Sequence, residues 1–324
     1  MADLDDARAQ ILAAHAALVA GGTLAPLGPG EAETRLWLDC EIASLAENRF
    51  FAAVDPLAMT PEIRALWEPR ATSDEPLSSP HGQAFYRAAY WILDGGARAG
   101  TVALSTAPSG SGTITVSSLY VRTSFRRRGI AARTLRGAHA ASRGAGGPGL
   151  RVPAYWTWQP AVRFYLTLGL WISGWRDSLV FVTRDDLPIF RVEAGGDEAR
   201  FSVRSSEGFE PLISAVRRGD RLGWTELAAV SRLVGEGSPL AGFARQTFAV
   251  ALAVRGFPLV RSPEAWAARL ASADGGEPEG LAYKIELFEG WDRKSGFEVR
   301  TPRIPGLTYP AWDVISDASS SPPA

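Results

Sequence analysis

The chain has 324 residues, 46% of them hydrophobic and 21% charged, with a formal net charge of -1. That length exceeds one ordinary domain and predicts two structural units, each able to bury a core. Near-neutral charge excludes nucleic acid as the main partner, because phosphate backbones are bound through a large basic excess.

The chain opens Met1-Ala2-Asp3-Leu4-Asp5-Asp6, acidic where a signal peptide would be basic. Its apolar run from Ile11 to Ala20 holds His15 and is too short to span a bilayer. The single cysteine, Cys40, excludes an internal disulfide and fits a reducing compartment. A cytoplasmic protein with no membrane partner is expected. Cys40 shares helical spacing with Leu38, Ile42 and Leu45 and reads as core packing.

An amphipathic helix is predicted from Asp5 to Val19, a short strand from Thr23 to Leu27, and helices from Glu31 to Ala46 and Pro61 to Trp67. Arg70 to Gly82 reads as loop. Strands follow at Phe85 to Leu93, Gly100 to Ser105 and Thr113 to Val121, with turns at Asp94-Gly95-Gly96 and Pro108 to Gly112, an antiparallel meander. The period then changes. Gly129 to Ser142 is helical, with Ala131, Leu135 and Ala138 on one face, and Leu150 to Trp156 is a strand. Strand, helix, strand implies a right-handed crossover and a parallel pair. Pro160 suits the first turn of another helix with the face Ala161, Phe164, Tyr165 and Leu168, capped by Gly169. Strands near Leu170 to Gly174 and Ser178 to Thr183 complete a mixed α/β domain over residues 23 to 184.

Beyond it, Leu187 to Val192 and Ala199 to Val203 flank Ala194-Gly195-Gly196-Asp197 as a hairpin. Residues 208 to 273 read as mostly helical, in segments Phe209 to Arg217, Thr225 to Leu233, Leu240 to Val254 and Pro263 to Ala273. Residues 281 to 316 read as irregular. The expected domains are 1–185, a mainly helical region of unknown role at 186–316, and a disordered tail at 317–324. The second region is expected to dock on the first and shape its acceptor side, with an independent helical module as the alternative.

The segment richest in chemistry is Leu119-Tyr120-Val121-Arg122-Thr123-Ser124-Phe125-Arg126-Arg127-Arg128-Gly129-Ile130-Ala131-Ala132. A strand ends in a turn whose amides open a helix. The first amides of a helix lack intrahelical partners and carry partial positive charge, so such a start is an anion site. The bland alternative is a solvated arginine-rich helix start.

This segment resembles the coenzyme A-binding motif of the GNAT superfamily of N-acetyltransferases: Gln or Arg, two residues, Gly, one residue, Gly or Ala. Arg126, Gly129 and Ala131 match it. A second family element, Asn, two residues, Ala, two residues, Phe or Leu, Tyr, then Gly-Phe, is matched by Ala161, Phe164, Tyr165 and Gly169-Leu170, with Trp158 in place of the asparagine. The resemblance covers residues 23 to 184 and implies a mixed central sheet of the acyl-CoA N-acyltransferase type. It implies that amides of Leu119, Tyr120 and Val121 take the pantetheine arm of acetyl-CoA. Those of Arg127, Arg128, Gly129, Ile130, Ala131 and Ala132 would hold the pyrophosphate, with Arg126 beside them. It makes Tyr165 the proton donor to the departing thiolate; packing alone is the other reading of that residue.

The implied reaction is acetyl transfer to an amine, on a small molecule or a protein, by direct attack in a ternary complex. No carboxylate stands on Thr113 to Val121 or Leu150 to Trp156 to deprotonate that amine. Water, Ser118, His81, or Glu286, Glu289 or Asp292 from the second region remain open. Tyr155, Trp156 and Trp158 read equally as acceptor pocket or as core. The alternative function is a catalytically idle acyl-CoA-binding sensor or scaffold. No metal is expected, since no His, Cys or carboxylate cluster has ligand spacing.

Overall fold

The computed structural model describes residues 2–34, 36–37, 40, 44, 77–78, 84–106, 113–154, 158–175, 179–218, 221–226 and 239–255. They divide into two compact units, residues 1–153 with 182–185 and residues 154–181 with 186 onward. The expected helices at Pro61 to Trp67 and Pro263 to Ala273, the Pro108 to Gly112 turn and everything past residue 255 lie outside the described residues.

The first unit opens on α1 (Ala2–Ala20). Its buried residues Ile11, Ala14, His15 and Leu18 follow the i, i+3, i+4, i+7 spacing of one helical face. Gly22, at φ +67°, ends the helix by letting the Thr23 N–H turn back to the Leu18 carbonyl (3.3 Å). Then come β1 (Leu24–Pro26), the short pair β2 (Leu77–Ser78) and β3 (Ala84–Phe85), and the long strands β4 (Arg87–Asp94), β5 (Ala97–Thr106) and β6 (Ile114–Val121). Gly95 and Gly96 both stand at positive φ, which matches the two-residue turn that best fits a hairpin's twist. The meander is therefore as expected. Helix α2 (Ile130–Gly144) carries the crossover to β7 (Gly149–Ala154), and β6 and β7 pair in parallel.

Period two explains why β4 is almost wholly apolar. The Tyr90 ring meets His15 of α1 edge-on, with centroids 4.7 Å apart. The alternate residues Ala89 and Trp91 pack with Leu27, Trp37 and Ala103. Both faces are covered, so neither can be polar. Cys40 packs against that second cluster, in agreement with its reading as core. Trp37 Nε1 donates to the Tyr90 carbonyl (3.2 Å), and Trp91 Nε1 donates to Glu33 (3.0 Å).

The second unit begins with α3 (Gln159–Thr167), β8 (Trp171–Trp175) and β9 (Leu179–Arg184). The last residues of β9 belong to the first unit, where Thr183 Oγ1 accepts the Leu150 N–H (3.1 Å). Next comes an antiparallel meander of β10 (Phe190–Gly195), β11 (Glu198–Ser205), β12 (Gly208–Arg218) and β13 (Arg221–Glu226). Helix α4 (Pro239–Ala253) follows, with Thr247, Phe248, Val250 and Leu252 fully buried.

Two expectations are corrected here. Phe209 to Arg217, read as a helix, is strand β12, and Thr225 begins no helix but lies in β13. Phe209, Leu212, Ile213 and Val216 imitate helical spacing because β12 is bulged. Phe201 pairs with Ile213 but Ser202 pairs with Pro211, so Leu212 is an extra residue that breaks the period of two. The bulge also accommodates Pro211, which has no N–H to give a ladder. On α3 the buried positions are Val162 and Tyr165, whereas Ala161, Phe164 and Leu168 are half-buried, so the core-facing stripe is narrower than read. Among the described residues no helix is long and apolar enough to cross a membrane.

Candidate functional site

The site in the first unit is built where β6 stops behaving as an ordinary strand. Its ladder with β7 spans only Ile114↔Leu150 and Thr115↔Arg151, although β6 runs on to Val121. On its other side Thr101 pairs with Tyr120 but Ala103 with Ser117, so β6 carries a bulge at Ser118 and Leu119. Ser118 stands at φ +52°, uncommon for a residue with a side chain. Two contacts hold it there: Thr101 Oγ1 donates to the Ser118 carbonyl (3.3 Å), and Arg87 Nη2 donates to Ser118 Oγ (2.9 Å). The guanidinium contact makes that hydroxyl a poor proton acceptor, which disfavours Ser118 as a base.

The strand end is pressed against β5. A Cβ on Gly100 would lie 1.9 Å from the Tyr120 carbonyl oxygen, so only glycine fits. The Arg122 N–H bonds the Ala99 carbonyl (2.9 Å). Since strand amides alternate in direction, the Val121 N–H points to the opposite edge, where the β7 ladder has ended.

The turn that follows contains a 3-10 segment at Thr123–Phe125 and two left-handed residues, Arg127 (φ +64°) and Gly129 (φ +71°). Successive amides around left-handed residues form anion-binding concavities. No side chain caps α2, whose first internal bond is Arg133 N–H to the Gly129 carbonyl (2.9 Å). The amides of Ile130, Ala131 and Ala132 are thus the helix's first, without intrahelical partners. At Gly129 the backbone angle, not crowding, requires glycine, because an added Cβ would meet Arg133 Nη1 at an ordinary 3.6 Å.

The arginines have divided tasks. Arg126 Nε donates to the Val121 carbonyl (2.8 Å), and its guanidinium lies 5.4 Å from the Tyr120 ring centre. Arg128 donates to the Ser124 carbonyl (3.1 Å) and faces Asp94 at 3.7 Å. Arg133 bonds the same Asp94 (2.8 Å) and the Arg128 carbonyl (2.6 Å). Arg126 and Arg128 therefore fix the turn as well as charging it, while Arg127 is exposed.

Tyr165 belongs to the second unit. It is 6% exposed, between Phe164 and Phe181 (ring centres 5.4 and 5.1 Å), and burial pushes its phenol pKa up. Gly169, at φ +79°, closes α3: its N–H bonds the Leu166 carbonyl (3.0 Å) and the Leu170 N–H bonds the Tyr165 carbonyl (3.1 Å). Trp158 is the N-cap and makes no side-chain cap bond, so the first turn of α3 lacks the cap that an asparagine would supply. His81, Tyr155, Trp156, Glu286, Glu289 and Asp292 lie outside the described residues.

Sequence reasoning missed Gly100, Thr101, Arg87 and Asp94. A glycine inside an apolar strand and paired serines in a β-branched one were the available signals. The model of the acetyltransferase (GNAT) family matches residues 57–170, a span that holds β4 to β6, the turn, α2 and α3. No curated protein matches the chain.

Proposed function

We propose that this chain, whose residues 57–170 match the model of the acetyltransferase (GNAT) family, is an N-acetyltransferase that moves an acetyl group from acetyl-CoA to an amine by direct attack in a ternary complex. One observation carries the proposal. A bulged strand end, with Val121 N–H directed to the edge where pairing has ceased, leads straight into an uncapped helix start with two left-handed residues. The residues fit the donor. Amides of Arg127, Arg128, Gly129, Ile130, Ala131 and Ala132 suit a pyrophosphate, with Arg126 adding charge. Leu119, Tyr120 and Val121 suit an extended amide-bearing arm, which can continue the interrupted ladder.

In this reading the amine nitrogen bonds the acyl carbon as the carbon–sulfur bond breaks. Val121 N–H steadies the carbonyl oxygen, and the resemblance assigns Tyr165 to protonate the departing thiolate. Its raised pKa keeps the phenol protonated throughout the physiological range.

The test is Gly129→Glu, which places a carboxylate at a left-handed position beside the amides. Calorimetry should show acetyl-CoA binding lost in the variant and present in the native chain; unchanged affinity overturns the site. Coenzyme A release over an amine panel then separates the enzyme from an idle binder, which would bind acetyl-CoA and release none.

A further inference from the structure

Among the described residues, only Ser118 and Arg127 carry a side chain at positive φ, and both lie between the β6 bulge and the start of α2. A side chain in the left-handed region is strained and persists only where its surroundings hold it. Glycine, which has no Cβ, takes such a bulge position at no steric cost. A serine at 118 therefore brings the one thing glycine lacks there, a hydroxyl.

The hydroxyl has a visible use. Arg87 stands on β4 and Ser118 on β6, with β5 between them. The Arg87 side chain crosses β5, and its Nη2 donates to Ser118 Oγ (2.9 Å). A bond from a cationic donor is stronger than one between neutral groups. The backbone of the same residue is held from β5, where the fully buried Thr101 donates through Oγ1 to the Ser118 carbonyl (3.3 Å). Side chain and carbonyl of one strained residue are thus fixed by two different strands. The next three residues are Leu119, Tyr120 and Val121.

We propose that Arg87 is a positioning residue: through Ser118 Oγ it locks the left-handed bulge and so aims the amides of Leu119, Tyr120 and Val121 at the acyl-pantetheine arm of the donor. The ligand in this proposal rests on the acetyl-transfer reading, whereas the lock is a property of the free chain. Arg87 makes other contacts as well, so the test turns on residue 118. Ser118→Ala and Ser118→Gly both remove the hydroxyl, but alanine keeps the strain and glycine relieves it. By calorimetry on the full chain, Ser118→Ala should weaken acetyl-CoA binding about 10-fold. Ser118→Gly should stay within about 2-fold of the native affinity. Arg87→Leu should weaken binding as Ser118→Ala does, and adding Ser118→Gly to it should restore binding, which loss of a packing or charge role alone would not allow. Equal weakening by alanine and glycine, no weakening by alanine, or no rescue of Arg87→Leu would overturn the lock. Amide hydrogen exchange of the free chain separates the lock from its ligand. Residues 117 to 121 should exchange about 10-fold faster in Ser118→Ala than in the native chain, with or without acetyl-CoA binding. Unchanged exchange would overturn the lock. Faster exchange in a chain whose native form binds no acetyl-CoA would keep the lock and overturn the acetyl-transfer reading.

Discussion

Tyr165 and His15 are both buried titratable residues, and burial sets different tasks for them. A phenol with its pKa raised is protonated at any working pH and can donate to a thiolate without competition from its own ionisation. If it does so, Tyr165→Phe should lower turnover by roughly 10²- to 10⁴-fold with acetyl-CoA affinity intact. Near-native turnover in that variant would assign the residue to packing. His15 is the opposite case, because burial lowers its pKa to about 4. The unfolded chain takes up this proton near pH 6.5 and the folded chain only near 4. Stability is therefore fully present above pH 6.5 and is lost as pH falls toward 4. Between pH 7.5 and 5 the loss should be about 2 kcal/mol, and His15→Phe should abolish that difference in urea unfolding.

At the scale of elements, the site depends on strands that stop pairing. β5 grips the end of β6 through Gly100 and Thr101, the bulge turns the backbone at Ser118, and the ladder to β7 closes after two residue pairs. Gly100→Ala would force the Tyr120 carbonyl away by more than a packed sheet can absorb. It should cost about 1–3 kcal/mol in stability. It should also weaken acetyl-CoA binding, although residue 100 contributes no atom to the proposed site. Calorimetry on folded Gly100→Ala protein checks this, and unchanged affinity would show that the β6 end is not set from β5. Helix α2 contributes by what it lacks: with no side-chain cap, its first amides remain available to an anion.

At the scale of the whole molecule, the two units are not consecutive stretches of chain. Residues 154–181, which hold α3 and β8, group with residues 186 onward. Trp171 contacts Phe190 and Phe201 (ring centres 5.0 and 5.6 Å), and the Ile172 N–H donates to Thr247 Oγ1 (2.8 Å) in the core. A fragment ending at residue 186 would leave Trp171 uncovered and the Ile172 amide without that acceptor. Burying large aromatic surface outweighs most single contacts, and a buried amide left unsatisfied costs about 1–3 kcal/mol. The 1–186 fragment should therefore be insoluble or lack a cooperative thermal transition, as expression and circular dichroism would reveal. A soluble, cooperatively folding fragment would show that the second meander and α4 are dispensable.

The sequence by itself determined most of the described part of the first unit, because its signals are local. Apolar and β-branched runs bounded by turn residues marked β4 to β6, the Asp94-Gly95-Gly96 turn marked the hairpin, and the change to helical period after Gly129 marked the crossover to β7. The motif residues Arg126, Gly129 and Ala131 fell where a helix start is built, since glycine at a left-handed position is itself a local requirement. Only the tertiary structure decided β12. Its apolar residues follow a helical spacing, and pairing with β11 through a bulge overrode it. The bulge on β6 and the pressure of Tyr120 on Gly100 likewise appear only in three dimensions. Each depends on which distant backbone or side chain lies opposite, and neither spacing nor propensity along one chain encodes that.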